Sequence, residues 1–166
     1  SHEEKYLGRV LENAGMLEYT GTGLRFGTTP IDVGVLANLA GATFTANSGT
    51  VTYDTKTASN KSLNFSTPIS FYNLTFSPTV AVTYEFQGSA TTTNTLTLAG
   101  SSAITLTDLI GDGTVALNAL GNVVSTNTSL STGGTLPIRI RGTGAQALTG
   151  PSGNLCDTGA FPAITI

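Results

Sequence analysis

The side chains able to do acid–base, nucleophilic or metal chemistry are few and scattered. The acids in the part of the chain that reads as β-structure are Asp32, Asp54, Glu85, Asp108, Asp112 and Asp157. Enzymes that cleave polysaccharides on a β-scaffold use carboxylate pairs or a basic residue along one groove, and here the acids stand singly. Glu85 lies in Thr83-Tyr84-Glu85-Phe86-Gln87, where alternation puts Tyr84 and Phe86 on the opposite face and leaves the carboxylate as an outward polar group. Asp108 and Asp112 flank Leu109-Ile110-Gly111, and Asp112-Gly113 is a pair suited to positive φ, so this stretch reads as a turn. A calcium loop of the EF-hand kind needs several oxygen ligands at fixed spacing ending in Glu, which this stretch lacks. The only histidine is His2 and the only cysteine is Cys156. Together they offer no zinc set, no Cys–His nucleophile pair and no intramolecular disulfide.

Other candidates read more simply as structure. Gly21-Thr22-Gly23-Leu24-Arg25-Phe26-Gly27 resembles a glycine-rich phosphate loop but departs from G-x-G-x-x-G and has no P-loop lysine, so a turn into the first strand is expected. Arg139 and Arg141 share one face of a strand at 136–141, where they suit a carboxylate or sulfate, or serve as edge charges that deter sheet-to-sheet pairing. Acceptor triplets for N-glycosylation begin at Asn60, Asn64, Asn73 and Asn127, as a Thr- and Asn-rich chain produces by chance. No catalytic residue, no cofactor-binding residue and no metal ligand is assigned, and the chain is not expected to be an enzyme.

One surface pattern carries a physical story. Thr-x-Thr occurs at Thr43/Thr45, Thr50/Thr52, Thr55/Thr57, Thr93/Thr95/Thr97 and Thr105/Thr107. Aligned between neighbouring strands, such pairs form a flat ladder of hydroxyls and methyls, similar to the ice-binding faces of some solenoid antifreeze proteins. The plainer account is that Thr is a good β-former whose outward face tolerates water.

The elements that must carry these residues follow from composition and period. The chain has 166 residues, 7 Lys+Arg against 10 Asp+Glu, and a net charge of −3. Only 10% of positions are charged, against about 25% in an ordinary soluble domain. Seven scattered cations make no nucleic-acid footprint. Mean hydropathy of +0.15 with small net charge argues against disorder. No run of about 18 apolar residues is present, so no helical membrane insertion is expected, and no apolar stretch follows a basic start as in a signal peptide. Abundant Thr, little charge and a single Cys together resemble extracellular bacterial β-proteins in composition.

Two regions are expected. Over residues 1–18, Leu7, Val10, Leu11, Ala14 and Leu17 recur at helical spacing, Ser1 and Glu4 have capping-box spacing, and early acids suit a helix N-terminus. An amphipathic helix over 3–18 is therefore expected, capping a β-rich domain at 19–166 despite Gly8 and Gly15. From Ala42 onward the period becomes two. Examples are Ser62–Ser66, Ser70–Phe76, Val80–Phe86, Thr95–Leu98, Ala103–Thr107, Thr114–Leu117, Leu136–Ile140 and Ala163–Ile166. Turn chemistry separates them at Asn47-Ser48-Gly49, Ser77-Pro78, Gly100-Ser101, Gly111-Asp112-Gly113, Gly121-Asn122 and Gly133-Gly134. The chain is all-β, with Leu63, Phe65, Phe71, Leu74, Phe76, Leu96, Leu98, Ile104, Leu106, Val115 and Leu117 pointing inward.

An antiparallel β-sandwich and a parallel β-solenoid both fit this pattern. Self-similarity favours the solenoid. A strand, a polar corner and then Phe-x-x-apolar-Thr-apolar occur around Phe71 and again at Phe161, about four coils apart at the ~20–25 residues of many repeats. Gly49–Tyr53, Phe71–Thr75 and Asn94–Gly100 further resemble units of large bacterial surface proteins built as right-handed parallel β-helices, the autotransporter-like and filamentous-haemagglutinin-like adhesins. The resemblance covers about residues 42–166 and implies a secreted, cell-surface repeat protein far longer than this chain, of which a strand ending at Ile166 would be a fragment. The expected function is thus a non-enzymatic extracellular structural or adhesive module, meeting a host or cell-surface glycan or protein, or itself. Its rivals are a self-assembling subunit of a pilus or virion, a glycan-active β-helix enzyme and an ice-binding Thr-ladder protein.

Overall fold

The computed structural model describes residues 5–7, 11–13, 16–18, 23–26, 36–45, 47–129, 131–151 and 161–166. The strands are β1 (Lys5–Leu7), β2 (Leu11–Asn13), β3 (Met16–Glu18), β4 (Gly23–Phe26), β5 (Leu36–Asn38), β6 (Thr43–Thr45), β7 (Thr50–Tyr53), β8 (Lys61–Leu63) and β9 (Ile69–Phe76). They continue as β10 (Val82–Phe86), β11 (Ala90–Leu98), β12 (Ile104–Asp108), β13 (Leu117–Ala119), β14 (Asn122–Ser125), β15 (Ile138–Ile140), β16 (Leu148–Thr149) and β17 (Ile164–Thr165).

Every pair formed by these strands is parallel. Parallel neighbours need a long return path, and here each return path carries the strands of the other faces. The chain is a parallel β-solenoid with three faces, and the antiparallel sandwich is excluded. A first face stacks β1, β4, β7, the second half of β9, the second half of β11, β14 and β16. A second face pairs β2 with β5 and β8 with β10 and β12, joined by a bridge from Asn38 to Phe65. The third face pairs β3 with β6, and stacks the first halves of β9 and β11 with β13, β15 and β17.

Alternation fills the centre. All eleven side chains expected inward are buried, none more than 3% exposed. They stack in columns because parallel register places like positions above one another: Val51, Leu74, Leu96 and Val123 on the first face, and Ile69, Ala90, Leu117 and Ile138 on the third. Aromatic rings bridge the faces at mid-stack. Phe76 stacks on Tyr53 at 5.4 Å and 13°, meets Tyr84 at 4.7 Å and Phe86 at 6.3 Å, while Phe65 packs edge-on to Phe71 and Phe86. The Tyr84 hydroxyl is kept satisfied in this core by donating to Thr55 Oγ1 at 2.9 Å.

Three expectations change. The helix over 3–18 is replaced by strands wherever that segment is described, because β1, β2 and β3 each gain a parallel partner in the next coil, β4, β5 and β6; the rest of the segment lies outside the described residues. Gly23–Phe26 of the glycine-rich stretch is strand β4, paired on both sides, while Gly21 and Gly27 lie outside the described residues. The proposed match of Phe71 with Phe161 is out of register, since Ile69 shares its column with Ile138 and Ile164, so that Phe161 precedes the stacked strand.

Candidate functional site

The outward side of the first face carries a Thr/Asn ladder from β7 to β16, and Arg25 of β4 shares the register column of Thr52. Parallel register aligns Thr50, Asn73, Thr95 and Asn122 in one column and Thr52, Thr75, Thr97, Val124 and Thr149 in the next. Strands lie ~4.8 Å apart and alternate positions ~6.6 Å along each strand, giving a two-dimensional array. Rungs are tied laterally: Asn94 Nδ2 donates to Asn73 Oδ1 at 2.8 Å, and Asn73 Nδ2 to Thr50 Oγ1 at 3.3 Å. Sequence reading found the Thr-x-Thr pairs but not their grouping. Thr50/Thr52 and Thr95/Thr97 share this face, Thr43/Thr45 is on the third, Thr105/Thr107 on the second, and Thr55/Thr57 follows β7 outside any strand. Asn73 and Thr75 complete the array, and only register identifies them.

Among the described residues, Asp108, Asp112 and Arg139 are occupied in holding loops. Asp108 sits in an inward register position, paired with Phe86, and its carboxylate turns to accept the Ile110 and Gly111 amides at 3.0 Å and the Gly113 amide at 3.1 Å. That is the expected turn, with Gly111 and Gly113 at φ +75 and +74. Asp112 accepts from the Thr114 hydroxyl at 2.6 Å and amide at 2.8 Å, which hold its carboxyl below the usual carboxylate value. Arg139 donates to the Gly113 carbonyl at 2.9 Å, stapling the loop of the coil below. The edge-strand role expected for Arg139 does not hold, because β15 is paired with both β13 and β17. Arg141 is exposed beyond the strand. Glu85 accepts from Asn60, and Asp54 lies 3.9 Å from Lys56. Asn127 is buried and donates to the Ala99 and Ser102 carbonyls, so this acceptor triplet does not present its amide to solvent. Asp32, Asp157, Cys156 and His2 lie outside the described residues. Among the described residues no group of three or more His, Cys, Asp or Glu is placed to hold a metal.

Asp108→Ala leaves three loop amides without their acceptor. Hydrogen bonds to charged groups are worth about 1.5–3 kcal/mol, and a loss of stability in that range is expected by denaturant unfolding. Amide protection should fall first at Ile110, Gly111 and Gly113.

A concave pocket of about 200 Å³ opens where the third face turns onto the first. Phe44, Thr45, Asn47, Ser70, Phe71, Tyr72 and Thr93 line it. The corner is one residue wide in β9, where Tyr72 stands between Phe71 and Asn73, and two wide in β11, where Thr93 and Asn94 interrupt the register between Thr92 and Thr95. Phe44 and Phe71, 5.7 Å apart, form its floor, and Tyr72 stands 37% exposed at its side. The Thr93 hydroxyl donates to the Phe71 carbonyl at 3.2 Å, fixing the wall contributed by the next coil. Asn47 holds a left-handed conformation at φ +47, which Asn tolerates better than most residues.

Fold and surface together define a parallel β-solenoid in which Asp108, Asp112 and Arg139 hold loops. No family model matches the chain, and no curated protein or solved structure matches it.

Proposed function

We propose that this β-solenoid is a non-enzymatic structural and adhesive module displayed at the cell surface, in the manner of the adhesin-type β-helix proteins that its Gly49–Tyr53, Phe71–Thr75 and Asn94–Gly100 segments resemble. The observation that carries this reading is the register-matched Thr/Asn array of β7, β9, β11 and β14. An uncharged field of hydroxyls and amides on a rigid sheet meets neutral polar partners through many weak hydrogen bonds. Such contact is little affected by salt, which screens charge and not hydrogen bonding. The rungs from β7 to β14 offer charge-driven partners, nucleic acid among them, no ionisable side chain.

The test is adhesion to immobilised cell-surface glycans and matrix proteins, measured at low and high salt with sedimentation of the same preparation. Salt-insensitive binding by a monomer, reduced at least tenfold in Thr75→Lys/Thr97→Lys with its melting temperature retained, is the expected result. A defined oligomer that binds no surface would replace this reading with the self-assembling subunit. Release of sugars from a polysaccharide panel would replace it with the enzyme.

The same array favours a second reading, because hydroxyls and methyls repeat on a grid as an ice-facing surface requires. Asn73, Asn122 and Val124 interrupt that grid. Thermal hysteresis in the parent, abolished in the double-lysine variant, would establish ice as the ligand.

A further inference from the structure

We propose that the corner pocket between Tyr72 and Thr93 binds a single neutral pyranose unit of a glycan. This rests on the adhesive reading above and names its ligand class. Size, polarity and the placed aromatic ring each select for this ligand. About 200 Å³ is below the ~300–1,000 Å³ of pockets that enclose drug-sized molecules, and it suits one ring with the rest of a chain lying outside. Every polar side chain in the lining is neutral: Thr45, Asn47, Ser70, Tyr72 and Thr93. Hydroxyls and an amide complement the hydroxyls of a sugar, whereas a phosphate, sulfate or sialyl carboxylate finds no cation among the lining residues.

The aromatic component separates a sugar from a simple polyol. Pyranoses carry an apolar C–H face opposite or beside their hydroxyls, and an exposed aromatic ring packs against it while its phenol stays wet. Tyr72 is exposed at a corner between two residues paired with β11, with Phe71 buried before it and Asn73 tied into the ladder after it. Its backbone is therefore fixed before any ligand arrives, which lowers the ordering cost of binding. The pocket also adjoins the Thr/Asn array directly, since Tyr72 leads into Asn73 and Thr93-Asn94 leads into Thr95. A glycan anchored by one ring at the corner has its next units over the array.

The experiment is amide-shift titration of the whole chain with methyl glycosides of glucose, galactose and mannose and their disaccharides, alongside sialic acid and sulfated galactose. Saturable shifts centred on Thr45, Asn47, Ser70, Tyr72 and Thr93 are expected for at least one neutral sugar. Tyr72→Ala should weaken binding at least tenfold, and Tyr72→Phe should retain it within about threefold. Tyr72 is exposed, so both variants are expected to keep the parent circular dichroism. Shifts only with the acidic sugars, shifts elsewhere, or unchanged affinity in Tyr72→Ala would overturn the site. If the parent still adheres to glycan surfaces in that case, the adhesive module stands and only its pocket is wrong. If adhesion is absent as well, both fall.

Discussion

Phe76→Ala is expected to lower stability by about 3–5 kcal/mol, the range for truncating a fully buried aromatic. For a chain of this length that corresponds to a melting temperature lower by about 6–20 °C. Phe76 is fully buried and its ring contacts Tyr53 in the coil below and Tyr84 and Phe86 across the core. The backbone around it cannot collapse into the space, because β9 is hydrogen-bonded to β7 on one side and β11 on the other. Stability in a solenoid passes through contacts between neighbouring coils, so a cavity here weakens the coils on both sides. Thermal unfolding followed by circular dichroism checks it, with exposed Tyr72→Ala as the comparison. A shift of less than about 1 kcal/mol for Phe76→Ala would mean that the core is not packed around this ring.

The second large effect is expected from adjacent glycines. Gly134→Ala should cost about 3–4 kcal/mol, while Gly133→Ala should fall within about 0.5 kcal/mol of the parent. Gly134 has φ +124, a conformation an alanine adopts only with strain, and a Cβ there would overlap the Leu106 backbone. Gly133 has an ordinary φ and open space at its Cβ position. Both belong to a tight approach of the chain onto β12: Gly133 donates to the Ile104 carbonyl at 2.9 Å, Leu106 donates to the Gly133 carbonyl at 2.9 Å, and Leu136 donates to the Leu106 carbonyl at 3.0 Å. Equal effects at the two positions in urea unfolding would show that this contact does not bear on stability.

That pair also marks a limit of local reading. Gly133-Gly134 has the composition of a turn, yet it bridges onto β12 as the continuation of the second face. Glycine is required there by the Leu106 backbone, a constraint from the coil below that no neighbouring residue in the chain announces. The same holds for Arg139, whose partner is a carbonyl in the 111–113 loop. Asp108 and Gly113, by contrast, were legible as a turn, because the carboxylate and the amides it accepts lie within five residues.

Side-chain alternation is a local property of extended backbone, and it was sufficient to set the fold class and the inward set from Leu63 to Leu117. The pocket and the array depended on something else. In Thr91-Thr92-Thr93-Asn94-Thr95 the residue types barely change, yet Thr92 is buried in the core and Thr93 and Asn94 are exposed at the corner. The extra corner residue shifts register between Thr92 and Thr95, so the inward set resumes at Leu96 over Leu74. Near the N-terminus, Leu7, Leu11 and Leu17 satisfy helical spacing, but β1, β2 and β3 each pair with a strand of the following coil. Period is written in neighbouring residues, whereas register, face and corner width are settled by hydrogen bonds to a coil some twenty or more residues away.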